Sequence, residues 1–232
     1  MNSVVYNIDC LEAMMAMPDK CFDLAVVDPP YGIGEDGLKN HSRGKATKPT
    51  LYTPKSWDNK PPTQEYFNEL LRVSKNVVIW GANHFISLIP IDSPCWIVWD
   101  KLNGDSDFAD CELALTTFKT SVRKFEFRWA GMLQGDMKNK EHRIHPTQKP
   151  IKLYKWIFQN YAKPTDKILD THLGSGSSRI AAYDAGLDFT GYELDKDYYE
   201  AQELRFKKHT SQGSLFESNE LVIFKTENNG TM

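Results

Sequence analysis

The sequence lacks a long apolar run, paired cysteines and any large excess of charge. No apolar run approaches the roughly 20 residues that cross a membrane, and the opening MNSVVYNID has no charged-then-apolar secretion pattern. The four cysteines form no CxxC pair, and the histidines show no metal-ligand spacing, which argues against a disulfide framework and a metal site. We therefore expect a cytoplasmic protein with no metal and no membrane partner.

Composition bounds the number of domains and the kinds of partner. The 232 residues are 41% hydrophobic and 12% aromatic, which is enough apolar material for one large core. We expect a single domain over 1–210 and a polar tail over 211–232. The net charge of −3 excludes a chain that binds polyanions through its overall charge, so any nucleic-acid contact would come from local basic stretches.

Two basic stretches are present, over 36–60 and 119–143, and aromatic residues are interleaved in the second. A charge run alone is more often a solvated surface, so either stretch by itself is weak evidence. Together they are candidates for contact with nucleic acid. The basic residues singled out are Lys39, Arg43, Lys45 and Lys48 in the first stretch and Arg123, Arg128, Lys138 and Arg143 in the second.

Short apolar runs alternate with amphipathic segments along the chain. This alternation predicts an α/β fold, an open and mostly parallel sheet with helices on both faces. The predicted strands cover 4–8, 22–27, 76–80, 95–99, 112–118, 124–129, 167–169 and 189–192, and the predicted helices cover 10–17, 64–73, 150–161, 177–185 and 196–208.

The stretch DLAVVDPPYGIG ends a predicted strand in an unusual way. The run over 24–27 suits a strand buried on both faces, and it stops at Asp28, Pro29, Pro30 and Tyr31 because proline cannot continue a sheet ladder. Turn formation, with the tyrosine covering the core, explains the same residues without any function. The choice between these readings depends on what else the chain carries.

A second motif, KILDTHLGSGSS, lies far downstream. A strand ends on Asp170, a turn with Gly174, Ser175 and Gly176 follows, and Glu193 ends the next strand about twenty residues later, the layout of a nucleoside-binding βαβ unit. The turn has no further glycine for a pyrophosphate, and the chain has no GK[ST] phosphate loop. A cofactor with a ribose but no phosphates is left, and S-adenosyl-L-methionine is the leading candidate.

Three motifs now stand in a defined order: Asp28 to Tyr31, then HPTQKP over 145–150, then 170–178. This order resembles the β-group of DNA amino-methyltransferases over roughly 5–208. The resemblance implies a Rossmann-like, circularly permuted methyltransferase fold with a seven-stranded, mostly parallel sheet. It also implies S-adenosylmethionine contacts from Asp9, Cys10, Thr147, Gln148, Lys149, Asp170, His172, Leu173, Gly174, Ser175, Gly176, Ser177 and Glu193.

The resemblance gives the first motif a chemical task. The amino nitrogen of a base is a poor nucleophile because its lone pair is delocalised into the ring. Asp28 and the carbonyl of Pro29 can accept hydrogen bonds from its two N–H groups, and Pro30 helps to keep the segment stiff. Tyr31 can stack on a base that is flipped out of duplex DNA. We therefore predict that the strands ending at Asp28 and Asp170 are neighbours, because ligands bind where parallel strands end.

Two features depart from the family. Its cofactor loop usually has phenylalanine where this chain has His172, a ring that can hydrogen-bond or take up charge. Many relatives also carry a large target-recognition insertion, and none fits here. Target contacts are therefore expected from the loops over 36–60 and 119–143.

Alternatives remain for the acceptor. Aspartate at the first tetrad position is more typical of adenine N6 enzymes, so N6 of adenine in DNA is the leading acceptor. N4 of cytosine, RNA and a protein glutamine amide are the others, and a non-catalytic nucleic-acid-binding module of the same fold is a further reading. A homodimer and a cognate restriction endonuclease are partners that the sequence leaves open.

Overall fold

The computed structural model describes 1–34, 55, 57–104, 109–130 and 133–227, with side chains described as far as 211. These residues include ten strands and five α-helices. The strands are β1 (Ser3–Tyr6), β2 (Phe22–Val27), β3 (Ser74–Trp80), β4 (Trp96–Asp100), β5 (Cys111–Thr116), β6 (Arg123–Glu126), β7 (Trp129–Ala130), β8 (Leu133–Gln134), β9 (Lys167–Asp170) and β10 (Asp188–Tyr192). The helices are α1 (Cys10–Met15), α2 (Gln64–Val73), α3 (Ile151–Tyr161), α4 (Ser177–Asp184) and α5 (Lys196–Glu227).

Eight of the described strands form one sheet in the order β1-β10-β9-β2-β3-β5-β4-β6, and β7 and β8 form a separate hairpin. Only β5 runs antiparallel to its neighbours in the large sheet, which confirms the mostly parallel α/β fold. The sheet has one strand more than the seven expected, because β6 adds to the edge beside β4. The predicted adjacency is also confirmed, since β2 pairs in parallel with β9 through Leu24 and Ile168.

The strand β2 is buried on both faces, as its apolar run predicted. Leu24 and Val26 lie in one core with residues of α3 and α4. Ala25 and Val27 point to the other face and lie in a second core with residues of α1 and α2. This two-sided burial explains why the segment reads as a continuous apolar run with no polar alternation.

Two of the predicted boundaries that differ from the structure are the start of α3 and the end of α5. Pro150 is the N-cap of α3 and the helix begins at Ile151, because proline suits the start of a helix. The helix α5 continues to Glu227, whereas the sequence predicted that it ends at 208. The sequence after 208 is polar and has little apolar period, so no helix was predicted there. In the ranges described, no helix is long and apolar enough to cross a membrane.

Candidate active site

A cavity of about 500 Å3 lies where β1, β2, β9 and β10 end at their carboxyl termini. This is the edge at which open parallel sheets bind their ligands. Many of the predicted site residues line it together, although they come from distant parts of the chain. They are Asp9, Cys10, Asp28, Pro30, Thr147, Gln148, Lys149, His172, Leu173, Gly174, Ser175 and Glu193.

The turn after β9 is held by a buried carboxylate. Oδ1 of Asp170 accepts a hydrogen bond from the backbone of His172 (3.1 Å), and Oδ2 accepts one from the hydroxyl of Ser178 (2.5 Å). Burial raises the pKa of Asp170 to about 7, although these hydrogen bonds act in the opposite direction. Asp170 does not line the cavity, so it shapes the turn from behind.

Backbone freedom completes this turn. Gly174 and Gly176 have φ angles of +52° and +73°, in the left-handed region that favours glycine. Gly176 is the N-cap of α4, which begins at Ser177. Arg205 of α5 donates to the carbonyl of Ser175 (2.7 Å) and to the hydroxyl of Ser177 (3.0 Å). The sequence analysis did not predict Arg205, because no motif surrounds it.

The carboxylate of Glu193 joins the two turns that follow β9 and β10. Its Oε2 accepts from the backbone of Gly174 and its Oε1 from the backbone of Asp195, each at 2.8 Å. Burial raises its pKa, and the two backbone hydrogen bonds oppose that rise. Each carboxylate oxygen can accept a further bond, so Glu193 can still receive hydroxyl groups from a ligand in the cavity.

Two further cavity residues have a local structural partner. Oδ1 of Asp9 accepts from the backbone of Leu11 (2.7 Å) and caps α1. Nδ1 of His172 lies 3.0 Å from the hydroxyl of Thr171, which itself lies 2.6 Å from that of Tyr66. Burial lowers the pKa of His172 to about 4. The imidazole is therefore uncharged near neutral pH and offers a hydrogen-bonding ring without charge.

The tetrad after β2 forms a compact network. Oδ1 of Asp28 accepts from the hydroxyl of Tyr31 (2.8 Å), and Oδ2 pairs with the ammonium of Lys149 (2.5 Å). The ring of Tyr31 stacks on His84 with centroids 4.9 Å apart. Asp28 and Pro30 line the cavity, whereas the ring of Tyr31 and the buried Pro29 lie outside its wall.

Two residues outside the predicted motifs shape this segment. Gly81 follows β3 with a φ of +67°, and a Cβ there would lie 2.1 Å from the ring of Tyr31. Asp58 is buried; its carboxylate accepts from the backbone of Gly32 (2.8 Å), and its carbonyl from that of Gly34 (3.1 Å). Neither residue was predicted as part of the site, because a single glycine or aspartate outside a motif does not indicate a function.

The segment HPTQKP contributes to structure as well as to the cavity. Gln148 is buried; its side-chain oxygen accepts from the backbone of Ile144 (3.0 Å) and its carbonyl from the indole of Trp129 (2.7 Å). Lys149 was expected beside a cofactor, and its ammonium lies between Asp28 and Glu112. Thr147 lines the cavity and is exposed, so it is the residue of this segment most open to a ligand.

Aromatic rings that the sequence analysis did not place at the site also line the cavity. The ring of His145 lies 5.1 Å from that of Trp57 and 4.2 Å from that of Tyr198. Lys55 pairs with Asp195 at 2.8 Å and so joins the chain before Trp57 to the start of α5. Other lining residues outside the prediction are Ile8, Tyr154, Thr171 and Leu194.

The basic candidates for nucleic-acid contact are only partly described. Lys39, Arg43, Lys45 and Lys48 lie outside the described residues. Arg128 and Lys138 are exposed in the segment that follows the carboxyl end of β6. Arg123 is the first residue of that strand, so it lies at the other end of β6. The guanidinium of Arg143 lies over the ring of Trp129, 4.5 Å from its centroid.

Comparisons with known proteins agree with this architecture. Residues 118–204 match the N6/N4 family model described as DNA methylase. The chain is 25% identical over 243 residues to the Type II methyltransferase M.HinfI of Haemophilus influenzae, covering 86% of this chain and 67% of the relative. It is 24% identical over 249 residues to the Type II methyltransferase M2.MboI of Moraxella bovis, covering 90% and 89%.

Solved structures show the same fold. The M1.HpyAVI–SAM complex has a TM-score of 0.55 at 20% identity, with 88% of this chain and 98% of that chain covered. The cytosine-N4-specific PvuII DNA methyltransferase has a TM-score of 0.58 at 13% identity, with 91% of each chain covered. The chain therefore has the methyltransferase fold, and its residues 118–204 are similar to the N6/N4 DNA methylase family model.

Proposed function

We propose that this chain is a site-specific DNA methyltransferase that transfers the methyl group of S-adenosylmethionine to the exocyclic N6 of adenine. One observation carries the proposal: the carboxylate of Asp28 and the glycine turn after Asp170 open into the same cavity, from two neighbouring parallel strands. An acceptor for an amino group and a nucleoside site are thereby brought together. Cys10 also lines the cavity, but burial raises the pKa of its thiol to about 12, so it is not an activated nucleophile near neutral pH.

The cavity fits S-adenosylmethionine, which supplies an electrophilic methyl group on a sulfonium when bound. Glu193 presents a carboxylate with free lone pairs for ribose hydroxyls, and Gly174 lets the backbone approach a ligand closely. Asp9, Cys10 and Thr147 also line the cavity, and the resemblance implies that Asp9 contacts the adenine ring and that Thr147 lies near the methionine end. The uncharged His172 takes the place of an apolar ring without adding a charge beside the sulfonium.

Asp28 and its neighbours prepare the acceptor. The carboxylate accepts a hydrogen bond from one N–H of the target amine, and the carbonyl of Pro29 accepts one from the other. These two hydrogen bonds favour a pyramidal nitrogen, whose lone pair is no longer delocalised into the base ring. Proline keeps this segment stiff. Tyr31 stacks on the base after it has been flipped out of the duplex. Catalysis then comes mainly from positioning and from fixed charges around the reacting atoms.

Adenine is favoured over cytosine because the tetrad begins with aspartate, the residue more typical of adenine enzymes in the family that the sequence resembles. The loops over 36–60 and 119–143 supply the DNA contacts, and the catalytic domain covers 1–210. Acting on DNA, the enzyme would work in the cytoplasm. A homodimer and a cognate restriction endonuclease remain partners to be tested.

Chain order supports placing the protein in the β-group of circularly permuted enzymes. The strand that carries Asp28 comes early, as β2, and the strand that carries the glycine turn comes late, as β9, although the two are adjacent in the sheet. The catalytic half therefore precedes the cofactor half along the chain.

Modification-detecting sequencing of DNA from cells that express the chain tests the proposal. We expect N6-methyladenine at one short recognition sequence with the wild type, and none with Asp28→Ala. Asp23→Asn, which changes a carboxylate at the opposite edge of β2, is the matched control and should retain the modification. Modification of cytosine alone, or an unchanged adenine signal with Asp28→Ala, would overturn the proposal.

A further inference from the structure

Lys149 holds two carboxylates at once in a nearly dry part of the site. Its ammonium lies 2.5 Å from Oδ2 of Asp28 and 3.0 Å from Oε2 of Glu112, and its side chain is only 4% exposed. It also lies 3.1 Å from the hydroxyl of Tyr31, to which it donates. Glu112 belongs to β5 and does not line the cavity, and Lys149 is the ion-pair partner that it shares with Asp28.

The ion pairs continue away from the cavity. Lys101, which follows β4, pairs with Oε1 of Glu112. The charges therefore alternate in the order Lys101, Glu112, Lys149 and Asp28, and they come from four separate segments of the chain. No charge in this series lacks an opposite partner, which is the condition under which buried charges are tolerated.

Electrostatics show how strongly the members are coupled. Burial acts to raise the pKa of Glu112, but Lys149 and Lys101 outweigh it and lower that pKa to about 2. Burial raises the pKa of Asp28; Lys149 opposes the rise and Glu112 adds to it. Burial alone would lower the pKa of Lys149, but the two carboxylates raise it. Glu112 and Lys149 thus act on Asp28 in opposite directions.

We propose that Glu112 and Lys101 are positioning residues for methyl transfer, because they fix the ammonium of Lys149 and through it the orientation and charge of the Asp28 carboxylate. The inference rests on the proposed function of Asp28 as the acceptor of the target amine. A lysine held by one carboxylate alone could swing with Asp28. A lysine held from both sides keeps one oxygen of Asp28 at a set place, which is the preorganisation that charge-stabilised reactions need.

Other titratable groups also lie near Asp28, and the substitutions that test the inference leave them unchanged. They are Tyr31 on its own segment, Tyr66 on α2, Tyr154 on α3 and Asp170 on β9. None of them contacts Glu112 or Lys101 by a described hydrogen bond or ion pair. A change at Glu112 therefore reaches Asp28 by way of Lys149 and by charge.

Single-turnover methyl transfer to duplex DNA, measured from pH 5 to 9, tests the inference. We expect Glu112→Gln to lower the maximal rate about 10-fold and to move the acidic limb of the profile down by about one pH unit, because a negative charge near Asp28 is removed. Lys149→Met should lower the rate more, about 100-fold, and move the acidic limb up. Lys149→Arg should recover part of the rate, and Lys101→Met should resemble Glu112→Gln in rate.

The controls separate positioning from folding. Asp23 and Lys75 form a more exposed lysine–carboxylate ion pair (2.6 Å) at the amino ends of β2 and β3, away from the cavity, so Asp23→Asn and Lys75→Met should leave the rate and profile unchanged. The affinity of Glu112→Gln for S-adenosylmethionine should stay within about twofold of the wild type, since Glu112 does not line the cavity. A rate loss with an unmoved acidic limb, or equal shifts for Glu112→Gln and Lys149→Met, would overturn the inference.

Titration of Asp28 itself keeps the inference separate from the proposed function. The carboxyl carbon of Asp28 is followed by NMR in aspartate-labelled enzyme without DNA, with Asp28→Asn as the assignment standard. The midpoint should fall in Glu112→Gln and rise in Lys149→Met. If the wild type methylates no DNA, the proposed function fails. The titration midpoints would still show whether the ion pairs control the ionisation of Asp28. Midpoints that do not move in the variants would refute that control.

Discussion

The hydroxyl of Tyr31 donates a hydrogen bond to Oδ1 of Asp28 at 2.8 Å. The ring proposed to stack on the target base is therefore bonded to the carboxylate proposed to receive the amine of that base. Oδ2 is already paired with Lys149. An incoming amine must then displace the Tyr31 hydroxyl or share its acceptor, so base binding and the strength of the Tyr31 hydrogen bond are coupled.

Tyr31→Phe tests this coupling, because it removes the competing hydroxyl and keeps the ring. We expect the single-turnover rate to stay within about threefold of the wild type and the DNA concentration needed for half-saturation to fall. Tyr31→Ala removes the ring and should lower the rate about 10- to 100-fold, the range for loss of one base–aromatic stack. Equal losses in both variants would show that the hydroxyl, and not the ring, is what the reaction needs.

Gly81→Ala should damage the site from beneath Tyr31. A Cβ at Gly81 would lie 2.1 Å from the Tyr31 ring, and the φ of +67° is itself unfavourable for alanine. We expect a loss of about 1–3 kcal/mol in the free energy of unfolding together with a large loss of activity. Gly186→Ala is the control, since Gly186 has a φ of +71° but open space around it. It should lose stability from backbone strain alone and keep its activity.

Asp170→Asn should change how stability depends on pH. Burial raises the pKa of Asp170 from 3.8 to about 7, so the folded state keeps a proton that the unfolded chain releases. The stabilisation is complete below about pH 4 and is lost as pH rises to about 7, by about 4 kcal/mol at most. Relative to the wild type, Asp170→Asn should therefore become more stable as pH rises across this range, as measured by chemical denaturation. A difference in the free energy of unfolding that does not change with pH would contradict the account.

His172→Phe should act in the opposite pH direction. Burial lowers the pKa of His172 from 6.5 to about 4, so the wild type has this stabilisation above about pH 6.5 and loses it as pH falls to about 4, by up to about 3 kcal/mol. The variant should gain stability over the wild type on acidification. At pH 7.5 its affinity for S-adenosylmethionine, measured by calorimetry, should be within about threefold of the wild type. A large loss there would show that the ring nitrogen binds the cofactor.

Elements with a clear apolar period could be predicted closely. β2 and α2 have the bounds that the sequence predicted, because β2 is buried on both faces and α2 on one. The adjacency of Asp28 and the glycine turn could also be predicted, since ligands bind at the carboxyl ends of parallel strands. Two separate motifs were enough to locate one cavity.

The partners of these residues could not be predicted. Glu112 reaches Lys149 because β5 lies between β3 and β4 in the sheet, and nothing in the local sequence of β5 shows that order. Asp58 closes its turn across a long polar segment, where one aspartate looks like any other. Long-range pairing of charges depends on register and on strand order, and these emerge only when the sheet is assembled.

The most direct measurement is nucleoside mass spectrometry of mixed-sequence duplex DNA after reaction with the purified chain and S-adenosylmethionine that carries a deuterated methyl group. We expect labelled N6-methyladenine with the wild type, and no label with Asp28→Ala that still binds the cofactor. Label on N4 of cytosine alone, or undiminished label on adenine with Asp28→Ala, would contradict the account.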